Sequence, residues 1–187
     1  MKRAFLIAGL MAAFALAALA SSSANFAGTW ALDKTKSQGL SPRMQGADSV
    51  AWIITQDDKT ISIDQKVTGG QPPAGGAGGG GGGTGGGGGM GGGRGPAGPT
   101  AYNLDGSPTT VDIGGGQMTG KSTLKATWAG NALELSRNSI FNGPNGEITS
   151  TETRKLELSG DGKVLTATVH SESPRGTTDS TLVFNKQ

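Results

Sequence analysis

The chain has 187 residues, of which 35 are glycine and none is cysteine, with 16 basic against 14 acidic residues and a single histidine. Without cysteine there is no disulfide framework and no cysteine to carry a lipid, so the fold rests on its hydrophobic core. Two of the basic residues, Lys2 and Arg3, precede an apolar run; once they are set aside the charges balance, and no basic surface remains to suggest a nucleic acid or an anionic membrane as partner.

Met1-Lys2-Arg3 is a short basic start, Ala4 to Leu19 carries no charge, and Ala18-Leu19-Ala20 is an A-x-A cleavage site, with Ser22-Ser23-Ala24 as a second. That is the pattern of a secretory signal peptide over residues 1–20. The apolar run of about 16 residues is shorter than a membrane-spanning helix needs. The expectation is a secreted or periplasmic protein with no stable membrane anchor after cleavage.

Beyond the signal the pattern is short, alternating and rich in Thr, Val, Ile and Leu. Phe26–Leu32 reads as a strand and Asp33–Asp48 as a polar loop. Ser49–Gln56 and Thr60–Val67 form a hairpin, with Val50, Trp52 and Ile54 on one face of the first strand and Ile61, Ile63 and Val67 on one face of the second. Strands follow at Thr100–Leu104, Thr109–Ile113, Lys121–Ala129, Ala132–Phe141, Glu147–Leu158, Lys163–Ser171 and Thr178–Asn185. Turn pairs such as Asp105-Gly106, Gly130-Asn131 and Asn145-Gly146 separate them. No segment after the signal has helical periodicity. About ten regularly spaced strands with tight turns predict an antiparallel meander, closing as a barrel or packing as a sandwich; closure removes the exposed edges.

Between the third and fourth strands lies a glycine tract, residues 69–98, in which twenty of thirty positions are glycine. The three strands before it are too few for an independent domain. The tract therefore reads as a disordered loop inside one β domain spanning 21–187, with almost no apolar side chain to bury. Closing so long a loop instead of a four-residue turn costs only about 1.8 kcal/mol.

Few motifs carry chemistry. Gly115 to Ser122 matches the phosphate-loop spacing G-x-x-x-x-G-K-S, but the alternation after Ser122 is that of a strand, where a phosphate loop needs a helix. His170 alternates with the polar Thr166 and Thr168, opposite Leu165, Ala167 and Val169, and reads as a solvent-facing strand residue. No nucleophile elbow, acid–base pair or metal cluster emerges, so the chain reads as a non-enzyme with no catalytic residue, no cofactor and no metal. One constellation stands out. Arg137 shares a face with Leu133 and Leu135, and Glu152 and Arg154 share a face with Leu156 and Leu158. If those faces point inward, the charged groups must be paired or solvated. They then line a polar ligand cavity, plug one barrel end as an ion pair, or turn outward through a bulge.

The stretch Phe26-Ala27-Gly28-Thr29-Trp30-Ala31-Leu32-Asp33, with Lys36-Ser37 after it, resembles the G-x-W opening of lipocalin-like proteins. It is similar in particular to a group of secreted bacterial lipocalin-like (calycin-type) β-barrel domains that open F-x-G-T-W-x-L-D-x-x-K-S. These repeat D-G-K-x-L-T late, as Asp161 to Thr166 does here, and end near a strand like Leu182 to Gln187. The resemblance implies that Gly28 and Trp30 close one barrel end. It also implies that Trp30 packs under an arginine from a late strand, Arg154 or Arg175. It implies a secreted binder of a small hydrophobic or amphipathic molecule. The alternative is an envelope structural or interaction protein that uses the barrel as scaffold and the glycine-rich loop as contact segment.

Overall fold

The computed structural model describes residues 24–69, 98–115, 118–143 and 146–187. Residues 1–23, which hold the expected signal segment, and nearly all of the glycine tract lie outside the described residues. Period-two alternation becomes ten strands: β1 (Gly28–Leu32), β2 (Ser49–Gln56), β3 (Thr60–Thr68), β4 (Thr100–Asn103), β5 (Thr109–Gly115), β6 (Met118–Ala129), β7 (Ala132–Gly143), β8 (Gly146–Leu158), β9 (Val164–Ser173) and β10 (Gly176–Lys186).

They form one antiparallel sheet in the order β4-β3-β2-β1-β10-β9-β8-β7-β6-β5. β1 pairs with both β2 and β10, setting Trp30 opposite Trp52 on one side and Lys186 on the other. This joins the two ends of the meander in a single curved sheet. Its remaining edges, β4 and β5, are successive in the chain, and β4 also lies against β6. Asn103 Nδ2 spans the β4–β5 connection, donating to Thr109 Oγ1 at 2.9 Å and to Ser107 Oγ at 3.0 Å. The result is a nearly closed ten-stranded barrel, and the sandwich alternative falls. Strands on both sides of the glycine tract contribute to this one sheet.

The connection Asp33–Asp48, read as a polar loop, is not without regular structure. It contains one helical turn, α1 (Pro42–Gly46), started by Ser41, whose Oγ accepts from the Met44 amide at 3.4 Å, with Pro42 supplying the fixed φ of a first turn. Five residues are too few to show a helical period in sequence. Met44 and Ala47 are buried against the core, and Lys34 Nζ donates to the Gln45 and Ala47 carbonyls. Residues 33–38 run along β10: Gln38 and Thr181 exchange backbone hydrogen bonds at 2.8 and 3.0 Å, and Ser37 Oγ accepts from the Val183 amide at 2.9 Å.

Alternation decides what fills the barrel. Val50, Trp52, Ile54, Ile61, Ile63, Leu124, Ala126, Leu133, Leu135, Leu156, Leu165, Ala167, Val169, Leu182 and Phe184 are buried on the inner face. Several of these largest side chains are entirely excluded from solvent, so this level of the interior is packed side chain against side chain.

The candidate functional site in the barrel lumen

The two ends of the barrel differ. One end holds residues 24–27 and the β2–β3, β4–β5, β6–β7 and β8–β9 turns, and aromatic rings seal it. Trp30 is buried, and its Nε1–H donates to the Phe26 carbonyl at 2.8 Å. The Phe26 ring stacks on Trp128 with centroids 6.1 Å apart. Gln56 accepts from the Phe26 amide at 2.8 Å and donates to the Ala24 carbonyl at 3.0 Å, tying residues 24–26 into this floor. Gly28 has φ of 143°, and its missing Cβ leaves room for the Lys186 stem. Gly28 and Trp30 thus sit at a closed end, but the cation over Trp30 corrects the resemblance. It is Lys186, whose Nζ stands 5.2 Å from the ring centroid; Arg154 lies instead over Trp52 at 5.5 Å. Arg175 lies in the β9–β10 turn. The reason is register: β10 runs beside β1 and brings Lys186 opposite Trp30.

Towards the other end the inner face turns polar and regains solvent. Along β8, Leu156 is buried, Arg154 and Glu152 side chains are 15% and 12% exposed, and Ile148 near the rim is 40% exposed. On β7 the same face runs from the buried Leu133 and Leu135 to the half-buried Arg137 and Phe141. The β7–β8 ladder is continuous, with Leu135 opposite Arg154, Arg137 opposite Glu152 and Phe141 opposite Ile148. No bulge flips these side chains outward. Arg137, Glu152 and Arg154, placed on one face by alternation alone, are together in the lumen.

Their partners are specific. Arg154 Nη2 meets Glu152 Oε1 at 2.7 Å. Burial works against the Arg154 charge, but the Glu152 carboxylate overcomes it and holds the guanidinium above its ordinary pKa. Trp52 is fixed beneath it by a hydrogen bond from Nε1 to Gln65 Oε1 at 3.1 Å and by the Phe184 ring, 4.4 Å away between centroids. Arg137 Nε–H is shared between Ser122 Oγ and Ser139 Oγ, each at 3.2 Å, and those two buried hydroxyls bond each other at 2.6 Å. Tyr102 of β4 completes the group. Burial pushes its hydroxyl above the ordinary value; Arg154 and Arg137 oppose that shift and Glu152 adds to it. Two further polar atoms of this level, Arg154 Nε and Ser180 Oγ, are buried with no hydrogen-bond partner among the described residues. They share one rung, through Ser180 opposite Val169 and Val169 opposite Arg154.

Ser122, Ser139, Gln65 and Tyr102 were not singled out from sequence. A serine or a glutamine in a strand carries no signal until the register sets it beside its partner, Arg137 for the two serines and Trp52 for Gln65. The other candidates stand apart. His170 faces solvent as expected, but between two carboxylates, Asp179 Oδ1 at 2.6 Å from Nδ1 and Glu172 Oε1 at 3.3 Å from Nε2. The phosphate-loop match runs into β6, a strand, so no helix N-terminus exists there to hold a phosphate. Among the described residues, no group of three or more His, Asp or Glu is arranged to hold a metal ion, and no helix is long and apolar enough to cross a membrane.

No protein-family model matches the chain, and no curated protein matches it. Among solved structures it is similar to zebrafish ileal bile acid-binding protein crystallised with cholic acid, at 14% identity and a TM-score of 0.44, over 87% of this chain and 98% of that one. The site is therefore read from this chain's own residues.

Proposed function

We propose that this is a secreted, non-catalytic barrel protein that binds a small amphipathic molecule in the upper half of its lumen. The observation that carries the reading is the gradient along the inner face of β7 and β8. A packed apolar floor gives way to a cluster of arginines, a carboxylate and hydroxyls, then to the half-buried Phe141 and the exposed Ile148 at the rim. A few convergent polar groups set in an apolar, open-ended concavity are what a ligand site requires. Because the floor is filled by Trp30, Leu133 and Leu156, all without solvent exposure, the ligand sits between the charged level and the rim. From the level of Arg137 to that of Phe141 the lumen wall runs four strand residues, roughly 13 Å.

The test is isothermal titration calorimetry of the intact secreted chain with decanol and with decanoate, alongside native mass spectrometry of protein purified from the cells that make it. Binding of either amphiphile with a negative heat-capacity change, or a co-purifying small molecule, supports the reading. A bare apo mass together with no binding of either probe rejects it and favours the scaffold alternative.

A further inference from the structure

Among the described residues, Arg137 and Arg154 face the upper lumen, and Glu152 is the one carboxylate that stands with them. Arg154 is engaged by Glu152 at 2.7 Å and lies over the Trp52 ring. Arg137 is held differently. Only its Nε edge is used, on the Ser122–Ser139 hydroxyl pair, and these serines are direct cross-strand partners on β6 and β7. Among the described residues, no acceptor takes the N–H groups of its Nη1 and Nη2. Glu152 stands directly opposite Arg137 on the ladder yet gives its oxygen to Arg154. The set of Arg137, Arg154 and Glu152 therefore carries one uncompensated positive charge. That charge sits on a planar fork held at its Nε edge by the two serines, one level nearer the rim.

A guanidinium anchored at Nε presents two parallel N–H donors at its far edge, the geometry that takes a carboxylate with two hydrogen bonds. In a partly buried lumen such a bond is stronger than in water, and an unpaired cation there is costly. We infer that Arg137 receives the anionic head of the lumenal ligand, and that the ligand is a singly charged amphiphile, a carboxylate on an apolar tail. The head lies inward at Arg137, and the tail runs outward to Phe141 and Ile148, since the floor below is already filled. Ser122 and Ser139 are positioning residues: they touch the receptor and aim its fork. The inference rests on the lumenal-binder reading above.

The experiment compares decanoate, decanol and acetate on the intact chain by calorimetry at about pH 8, where a carboxylic acid is ionised. Decanoate is expected to bind at least about tenfold tighter than decanol, the worth of one good charge-assisted hydrogen bond. Acetate, a head without a tail, is expected not to displace it. Arg137→Gln is expected to reduce the decanoate-to-decanol affinity ratio by about tenfold or more, and Ser139→Ala by a smaller factor. Equal affinity of the native chain for decanoate and decanol overturns the inference while leaving the lumenal reading standing. An unchanged ratio in Arg137→Gln overturns Arg137 as the receptor. Should Arg137→Gln fail to fold, Arg137→Lys decides: it keeps the charge but loses the fork, so an unchanged ratio rejects bidentate capture. Failure of both amphiphiles to bind removes the lumenal reading and this inference with it.

Discussion

Arg137 and Glu152 are direct cross-strand partners, yet the ion pair forms between Glu152 and Arg154, two residues apart on the same strand. The carboxylate is thus committed to the arginine that lies over Trp52, whose side chain is largely enclosed. Glu152→Gln is expected to strand that buried charge and to lower stability by about 3 kcal/mol, read by urea unfolding. Replacing both partners, Glu152→Leu with Arg154→Met, is expected to recover most of that loss, because the desolvation cost disappears with the charges. If the double variant is no more stable than the single one, the pair contributes more than mutual compensation.

Trp30 carries the closed end. Its ring is buried, its Nε1–H is satisfied by Phe26, and Lys186 covers one face. Trp30→Ala removes the largest plug and orphans the Phe26 carbonyl, with an expected loss of roughly 3–5 kcal/mol in chemical denaturation. An unchanged melting temperature would show that the floor is held by Phe26 and Trp128 alone.

The hairpin of Val50, Trp52 and Ile54 with Ile61 and Ile63 was legible because a buried sheet face repeats every second residue. The same rule put Arg137, Glu152 and Arg154 on one inner face, and it held because the β7–β8 ladder has no bulge. What could not be read were pairings across strands. Lys186 over Trp30 and Ser122 opposite Ser139 depend on which residues stand on the same rung, and rung numbers are fixed by turn geometry and closure. The α1 turn escaped for another reason: its cap, Ser41-Pro42, is a start signal, but nothing after it is long enough to carry a period.

Among the described glycines, Gly39 is the one whose replacement should cost most. Its φ is +65°, and an added Cβ would lie 2.4 Å from the Asp179 carbonyl oxygen and 3.0 Å from Ser180 Cα, both backbone of β10. Gly39→Ala is expected to destabilise by about 2 kcal/mol or more, combining left-handed strain with a backbone clash. Gly28→Ala meets only the flexible Lys186 stem at 3.0 Å, so its cost is expected to be smaller. The opposite ranking in thermal melts would mean that residues 33–48 can lift from β10 at little cost.

Both ring nitrogens of His170 face carboxylate oxygens, whereas a neutral imidazole has one N–H. The Asp179 hydrogen bond first, then that of Glu172, raises its pKa above the ordinary 6.5. A raised value in the folded state means that the stabilisation is full below about 6.5 and is lost as pH rises through the folded value. The site is exposed, so the effect on the β9–β10 hairpin is small. An NMR titration of the His170 ring is expected to give a midpoint above 6.5, and Asp179→Asn to lower it. A midpoint at or below 6.5 in the native chain contradicts the pairing.

The register of β3 and β4 sets what can replace the glycine tract. Thr100 stands opposite Ile63, while β3 continues to Thr68, which pairs with Ser49 and whose carbonyl accepts from the Asp48 amide at 2.8 Å. The strand therefore overhangs its partner by five residues, roughly 17 Å at the rise of an extended chain. A two-residue hairpin turn joining Thr68 to Thr100 cannot cover that distance. It is expected to unpair either the end of β3 from β2 or the start of β4 from β3, and to lower the melting temperature. About eight Gly/Ser residues in place of 70–97 reach easily and shorten the loop to be closed, so that variant is expected to fold with stability equal to or slightly above the native chain. Far-UV circular dichroism and thermal melting of the two variants check this. If the eight-residue variant unfolds, β1–β3 and β4–β10 need the full tract to assemble, and the reading of residues 69–98 as a loop within one domain fails.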